Sequence, residues 1–313
     1  MYHLGATTGL SSLAPYGYLA VDLFFILSGF VIGNAYESKL TSSLSWRAFM
    51  LIRIARLYPC LFLGCLLGIA AHPDATIFTL LGQFALIPDF ASHELFPLNA
   101  VMWSLFFELV INAVHAGCVS RLSIKTLTIF TAVCAVAFAT VSWMHGGPGL
   151  GWGVSTFWPG FIRVGFGYSL GLLMYRMWAS LPLSSIGVSP IITMIVLALL
   201  LVSPNLGHTN LQVPLTLFVA FPALVALGVI SKPKWGPAMS WLGGLSYPLY
   251  ATHLPLLILA DKAFHVGEGI INLAGIAATI VAVAALLDRF YDAPLRRLLR
   301  QSFFRSRTAG QVA

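Results

Sequence analysis

Two residues near the start of the chain, His3 and Asp22, have side chains suited to proton transfer. Asp22 lies early in an apolar run, 17–32, whose composition is that of a membrane-spanning helix. A carboxylate in hydrocarbon costs on the order of 3 kcal/mol, so it normally faces a partner or a wet cavity. A histidine beside a carboxylate can be held in one tautomer as a base. We therefore predict that the two residues act together; the alternative is that Asp22 caps its helix near the membrane interface.

Three arginines, Arg47, Arg53 and Arg56, stand at the start of the second apolar stretch. Because Arg53 and Arg56 are three positions apart, they share a helix face and can hold a phosphate between two guanidinium groups. This spacing predicts a binding site for a phosphate-bearing ligand. The alternative interpretation is that the arginines only anchor the topology of the chain.

Two later stretches also combine polar side chains with apolar surroundings. Glu108 lies inside one stretch, with Trp103 at its predicted membrane interface. A buried carboxylate usually has a partner, so we expect Glu108 to orient a substrate hydroxyl or to pair with Arg163, the only basic residue deep in an apolar stretch. Tyr250 and His253 share a helix face, and neighbouring prolines free carbonyls that can line a cavity. A lone histidine is more often a packing residue, yet this pair favours a site lining.

The composition predicts an all-α, polytopic membrane bundle. Of the 313 residues, 58% are hydrophobic and only 9% are charged, with a mean hydropathy of +0.89. Nine apolar stretches are predicted to span the membrane, and these are 18–35, 57–71, 101–119, 126–143, 159–177, 189–203, 213–230, 246–263 and 270–287. A further apolar piece, 78–87, is too short to cross and is predicted to be re-entrant or interfacial.

The basic residues predict the orientation of the chain. If the spans alternate, fifteen of the 17 lysines and arginines fall on one side, the exceptions being Arg163 and Lys262. By the positive-inside rule this side is cytoplasmic and includes the C-terminus. The net charge of +7 is therefore a topology signal, and we expect no nucleic-acid partner. We predict one transmembrane domain over 1–300, followed by a basic cytoplasmic tail over 301–313.

Five stretches in chain order resemble the acyltransferase-3 family of membrane-bound acyltransferases, which O-acylate cell-surface sugars. They are G-x-x-x-V-D-L-F-F-I-L-S-G-F-V-I around Asp22 and Ser28, Arg53-x2-Arg56-x2-Pro59, Trp103-Ser104-Leu105-x2-Glu108, Ser246-Tyr247-x2-Tyr250-x2-His253-x-Pro255 and Tyr291-Asp292-x-Pro294-x-Arg296. In addition, His3 is similar to a family histidine that follows an Arg or Lys by about three helical turns in the first span. Most of that first span is expected to be missing here. Together with the nine predicted spans, it would make ten transmembrane helices.

The resemblance implies transfer of an acyl group, most often acetyl, from acyl-CoA to a hydroxyl of an exported glycan or glycolipid at the plasma (inner) membrane. It implies that His3 is the base or transient acyl carrier and that Asp22 holds its tautomer. Arg47, Arg53 and Arg56 would bind the coenzyme. The cavity would be lined by Ser28, Trp103, Glu108, Tyr250 and His253. The sequence holds no metal-ligand spacing, esterase elbow or Walker loop, so we expect no metal and no permanently bound cofactor.

Two alternatives stay open at this point. The first is a proton-coupled transporter or flippase-like protein, in which Asp22, Glu108, Arg163 and His253 mark a proton or solute path. The second is an inactive acyltransferase that keeps the fold but lacks the first-span arginine. Uptake without acyl transfer would favour the transporter.

Overall fold

The computed structural model describes residues 2–3, 14–178, 189–202, 211–231, 236–264 and 270–299. The regular structure of these residues is helical, without a β-strand, which confirms the predicted all-α class. The helices are α1 (Ala20–Ser42), α2 (Trp46–Ala71), α3 (Ile77–Ala85), α4 (Met102–Cys118), α5 (Ile124–Met144), α6 (Phe157–Trp178), α7 (Pro190–Val202), α8 (Gln212–Ile230), α9 (Gly236–Phe264) and α10 (Ile270–Leu287). The predicted tail, 301–313, lies outside the described residues.

Seven of these helices are long and apolar enough to cross a membrane, judged by length and composition. They are α1, α2, α4, α5, α8, α9 and α10, with α10 continuing through a π-helical turn, Asp288–Asp292. Each coincides with one of the nine predicted spans. The other two predicted spans correspond to α6, which is less apolar because it contains two arginines and four glycines, and to the 13-residue α7. The polytopic helical class is therefore confirmed.

Several helices extend beyond the predicted spans. The first span was predicted to end at 35, but α1 continues through the polar residues that follow and ends at Ser42. Helix α2 begins at Trp46 instead of 57, and α9 begins at Gly236 instead of 246. Hydropathy reports where side chains are apolar, whereas the backbone stays helical for as long as its hydrogen bonds are best satisfied that way. Polar side chains at these ends can reach the headgroup region.

The short apolar piece forms α3, which has nine residues. Thr76 caps its start, since the hydroxyl oxygen accepts a hydrogen bond from the Thr79 amide at 3.2 Å. Leu86 ends it in the left-handed conformation with φ of 54°. At 1.5 Å per residue α3 is about 14 Å long, too short to cross a bilayer. Its exposed Phe78 fits the predicted re-entrant or interfacial position.

The chain divides into two compact units. The first unit contains Met1–Trp46 and Val110–Gly236, and the second contains Arg47–Leu109 and Pro237–Ala313. Helix α4 gives its first half to the second unit and its second half to the first. Each unit is therefore assembled from segments that are distant in the sequence.

In the first unit, α1 and α6 pack backbone to backbone. Each helix carries a G-x-x-x-G motif, at 29–33 in α1 and 167–171 in α6. A methyl group on the first glycine of the α1 motif would overlap the carbonyl oxygen of Tyr168. One on the last glycine of the α6 motif would overlap the carbonyl oxygen of Ile26. Small residues at this spacing are what lets two membrane helices approach so closely.

Candidate functional site

Helix α4 carries four buried polar side chains on one face. Ser104, Glu108, Asn112 and His115 follow each other by four, four and three positions, which keeps them on the same side of a helix. None of them is more than 3% exposed. Polar groups in such a position need partners inside the protein. The first two lie in the second unit and the last two in the first, and each pair finds its partners in its own unit.

In the second unit, Glu108 pairs with Arg53 of α2. Arg53 Nη2 donates to Glu108 Oε1 at 2.5 Å, and both side chains are buried. The predicted alternative, a Glu108–Arg163 pair, is therefore wrong. Of the three arginines expected to bind a coenzyme, Arg53 is held internally, whereas Arg47 and Arg56 are exposed.

Tyr250 and His253 of α9 are both anchored by hydrogen bonds. The Tyr250 hydroxyl lies 2.6 Å from Ser104 Oγ, and both hydroxyls contact the Val101 carbonyl oxygen. This arrangement fixes the tyrosine ring against α4. His253 Nδ1 lies 2.8 Å from the carbonyl oxygen of Tyr250 and 3.1 Å from that of Leu249. Because carbonyls only accept, Nδ1 carries the proton, and Nε2 is the basic nitrogen of the neutral ring.

A proline creates a third anchor in this unit. Pro255 lacks an N–H group, so the Ala251 carbonyl one turn earlier loses its helical partner. Asn99 Nδ2 donates to that oxygen at 2.8 Å. Helix α2 approaches the same point at Gly64, where an added Cβ would lie 2.5 Å from the carbonyl oxygen. No role was predicted for Asn99, although its amide and Pro255 are both visible in the sequence.

In the first unit, Asp22 of α1 pairs with Arg163 of α6 through two parallel hydrogen bonds. Arg163 Nε and Nη2 donate to the two carboxylate oxygens, each at 2.7 Å. Arg163 Nη1 donates to the Leu150 carbonyl at 2.9 Å. Both charged side chains are buried. Arg163, one of the two partners predicted for Glu108, is thus paired with Asp22, the other carboxylate deep in an apolar helix.

His3 lies near the start of α1. Its ring packs edge-on against Tyr2 with 5.1 Å between centroids, and the Tyr2 ring lies 5.8 Å from that of Tyr18. Tyr18 is one helical turn before Asp22, and its carbonyl accepts a hydrogen bond from Arg163 Nη2 at 3.4 Å. The structure therefore brings His3 to the end of α1 that carries Asp22. The hydrogen bonds to the Asp22 carboxylate come from Arg163.

The last two polar residues on this face of α4, Asn112 and His115, lie against side chains of α1 and α6. Tyr168 donates its hydroxyl proton to Asn112 Oδ1 at 3.2 Å, and its oxygen lies 2.8 Å from His115 Nδ1. On the other side of the ring, His115 Nε2 lies 3.8 Å from Glu37 Oε1. The same carboxylate oxygen accepts a hydrogen bond from Arg176 Nε at 2.8 Å. The helical spacing of the four buried polar residues in α4 is visible in the sequence, but no network was predicted there.

The remaining predicted residues are also placed. Ser28 is buried in α1, and Trp103 is buried with its ring 6.1 Å from that of Phe107. In the last motif, Arg296 Nη2 lies 2.6 Å from a carboxylate oxygen of Asp292, which is fully buried. This ion pair spans one turn of the helix where it continues after the π-helical segment.

Comparison with known proteins agrees with the motifs. Residues 2–289 match the model of the acyltransferase-3 family, described as an acyltransferase domain. A relative from Rhizobium radiobacter, "Protein 2 in picA locus", is 36% identical over 143 residues, an alignment that covers 38% of this chain and 75% of the relative. No solved structure matches the chain. The family match extends over segments of both units.

Proposed function

Because the chain belongs to the acyltransferase-3 family, we propose that it moves an acyl group, in the simplest case acetyl, from acyl-CoA to a hydroxyl of an exported or cell-surface glycan. The observation that carries this proposal is the family match over 2–289, nearly the whole chain. The protein is a multi-pass membrane acyltransferase. Such a protein can take its donor from one side of the membrane and its acceptor from the other.

The reaction requires one proton transfer. The acceptor oxygen forms a bond to the acyl carbon, the carbon–sulfur bond of the thioester breaks, and the hydroxyl proton ends on the coenzyme sulfur. We assign His3 as the base that removes this proton, or as a transient acyl carrier. The His3 ring packs against Tyr2, whose ring packs against Tyr18 near the start of α1. This position supports the assignment, since the Asp22–Arg163 pair holds that end of α1 in place.

The donor is assigned to the arginines at the start of α2. Arg47 and Arg56 are exposed and can bind coenzyme phosphates as charge-assisted partners. Arg53 has a different task, because its guanidinium holds the buried Glu108 carboxylate. We assign Trp103, Glu108, Tyr250 and His253, which all lie in the second unit, to the acceptor cavity. Of these, His253 offers a basic Nε2 to a bound hydroxyl. Ser28 lies in the first unit, and its role in a cavity stays a prediction.

The first test is acyl transfer from labelled acetyl-CoA to a panel of glycans, using the whole chain in lipid nanodiscs. We expect His3→Ala to slow transfer by about 10²–10⁴-fold, the usual contribution of a positioned base. His145→Ala is the matched control, because His145 is an exposed histidine that bonds only to its own helix among the described residues. Retained transfer in His3→Ala would refute the assignment of the base. Proton-coupled uptake without any transfer would replace the enzyme with a transporter.

The second test separates the arginines. Arg56→Gln should raise KM for acetyl-CoA and weaken its dependence on salt, because one phosphate contact is lost. Arg53→Gln should instead lower the unfolding midpoint, because Glu108 would lose its buried partner. Arg121→Gln serves as the control, since Arg121 is exposed on the same predicted side of the membrane. Equal effects of Arg56→Gln and Arg121→Gln on KM would argue against the assigned coenzyme site.

A further inference from the structure

The turn Gly17–Leu19, which precedes α1, is fixed by the core of the first unit. Leu19 is fully buried, and Tyr16, directly before the turn, donates its amide proton to the Leu201 carbonyl of α7 at 3.3 Å. The turn closes on itself as well, since the Leu19 amide donates to the Tyr16 carbonyl at 2.9 Å. A segment held in this way can position a residue that packs against it.

Tyr2, the neighbour of His3, packs against this turn at Gly17. A Cβ added to Gly17 would lie 2.6 Å from the Tyr2 Cβ and 3.4 Å from its Cγ. Two non-bonded carbons are at their optimal separation at about 3.5–4.0 Å, so an added methyl group would push Tyr2 away by about 1 Å. Because the Tyr2 Cβ is bonded directly to the main chain, a side-chain rotation cannot relieve this overlap. His3, the next residue, would have to move with Tyr2.

Tyr18 connects the same place to the buried ion pair. Its ring lies 5.8 Å from the Tyr2 ring, between centroids, and the Tyr2 ring packs edge-on against His3 at 5.1 Å. The Tyr18 carbonyl oxygen accepts a hydrogen bond from Arg163 Nη2 at 3.4 Å, and the same nitrogen donates to Asp22 at 2.7 Å. An unbroken series of contacts therefore runs from the ion pair to the His3 ring.

We propose that Gly17 and Tyr18 are positioning residues that hold the His3 imidazole where the acyl transfer needs it. This inference rests on the proposed function, in which His3 is the base or transient acyl carrier. Gly17 supplies the space that Tyr2 occupies, and Tyr18 supplies a ring surface that is fixed through Arg163. Because a reacting group displaced by about 1 Å can slow a reaction about 10²-fold, the close contact at Gly17 controls the rate.

The first experiment reads the environment of His3 directly and needs no substrate. Nitrogen-15 and proton NMR of the histidine rings is recorded on the whole chain in lipid nanodiscs, and the His3 signal is assigned by its loss in His3→Gln. We expect Gly17→Ala and Tyr18→Leu to shift this signal, because Tyr2 moves or loses its support. Tyr18→Phe keeps the aromatic ring and should leave the signal in place, as should Gly147→Ala, where nothing lies within 4 Å of an added Cβ. A His3 signal that is unchanged in both Gly17→Ala and Tyr18→Leu would overturn the proposal.

The second experiment measures transfer from labelled acetyl-CoA in the same variants. We expect Gly17→Ala and Tyr18→Leu each to lower kcat by about 10²-fold, with KM for acetyl-CoA unchanged and with Tyr18→Phe within twofold of the wild type. The deciding comparison is made in the His3→Ala background. Neither substitution should slow the residual transfer further there, because its effect passes through His3. Equal losses in both backgrounds would indicate general damage to the fold and would overturn the proposal, as would rates within twofold of the wild type in Gly17→Ala and Tyr18→Leu.

The outcomes separate this proposal from the proposed function. A wild type without transfer refutes the proposed function, and the positioning role falls with it. Transfer that depends on His3 but not on Gly17 or Tyr18 leaves the proposed function intact and removes only the positioning role.

Discussion

Replacing Asp22 by asparagine should destabilise the first unit strongly. Arg163 would keep its hydrogen bonds to the carbonyls of Leu150 and Tyr18, at 2.9 and 3.4 Å, but its positive charge would lose the carboxylate of Asp22. The arginine is 2% exposed, so water cannot replace that partner. The variant therefore leaves the buried arginine between α1 and α6 without the carboxylate that balances its charge in the wild type.

The magnitude follows from how much of the pair is lost. Removing one partner of a buried ion pair costs about 3–5 kcal/mol. Asparagine keeps one carbonyl oxygen that can accept from Arg163, so we expect the lower end, about 3 kcal/mol. Removing both charges in Asp22→Leu/Arg163→Met should recover most of this loss, because an apolar pair of similar size needs no desolvation.

The assay is reversible unfolding in mixed detergent micelles, followed by circular dichroism. It compares the wild type, Asp22→Asn and the double variant Asp22→Leu/Arg163→Met. Asp74→Asn is the control, because Asp74 is an exposed carboxylate in the loop after α2. A loss below about 1 kcal/mol in Asp22→Asn would refute the reasoning. So would a double variant no more stable than Asp22→Asn.

Two further predictions concern packing and pH. Gly171→Ala should cost about 1–3 kcal/mol, because its Cβ would overlap the Ile26 carbonyl oxygen, whereas Gly228→Ala, with nothing within 4 Å, should not; unfolding midpoints test both. Burial by itself would raise the pKa of Asp89, but hydrogen bonds from the Ala91 amide and two neighbouring hydroxyls outweigh it and hold that pKa below its ordinary value. The resulting stabilisation is present above the unfolded pKa and is lost as pH falls through the folded one. Amide exchange at Ala91, expressed relative to its intrinsic rate, should therefore be faster in acid than at neutral pH. In Asp89→Ala it should be faster than in the wild type at every pH.

The helices could be predicted from the sequence because lipid leaves the backbone few choices. An apolar stretch in a bilayer must satisfy its own hydrogen bonds, so hydropathy and helix coincide. The helix ends could not be predicted in the same way. The first span was predicted to end at 35, yet α1 continues to Ser42, with Glu37 paired to Arg176 of α6. A partner distant in the sequence had turned a polar residue into part of the packed helix.

The site was predicted in its parts but not in its connections. Asp22, Glu108 and Arg163 stood out because a charge inside an apolar stretch requires an explanation. His115 did not stand out, since its hydrogen-bond partner, Tyr168, is 53 positions away in the sequence. The regular polar spacing along α4 was visible, but spacing alone does not say which helix the polar face meets.

The sequence by itself determined the class of protein, the approximate positions of the apolar helices, the family motifs and the deep charges that need partners. Only the tertiary structure decided the pairings, which join Asp22 to Arg163 across 141 positions and Arg53 to Glu108 across 55. The physical reason is that a charge pairs with whatever its helix packs against. That neighbour is selected by close backbone contact, as at Gly29 and the 167–171 motif, and by the rotation of each helix. Hydropathy records neither.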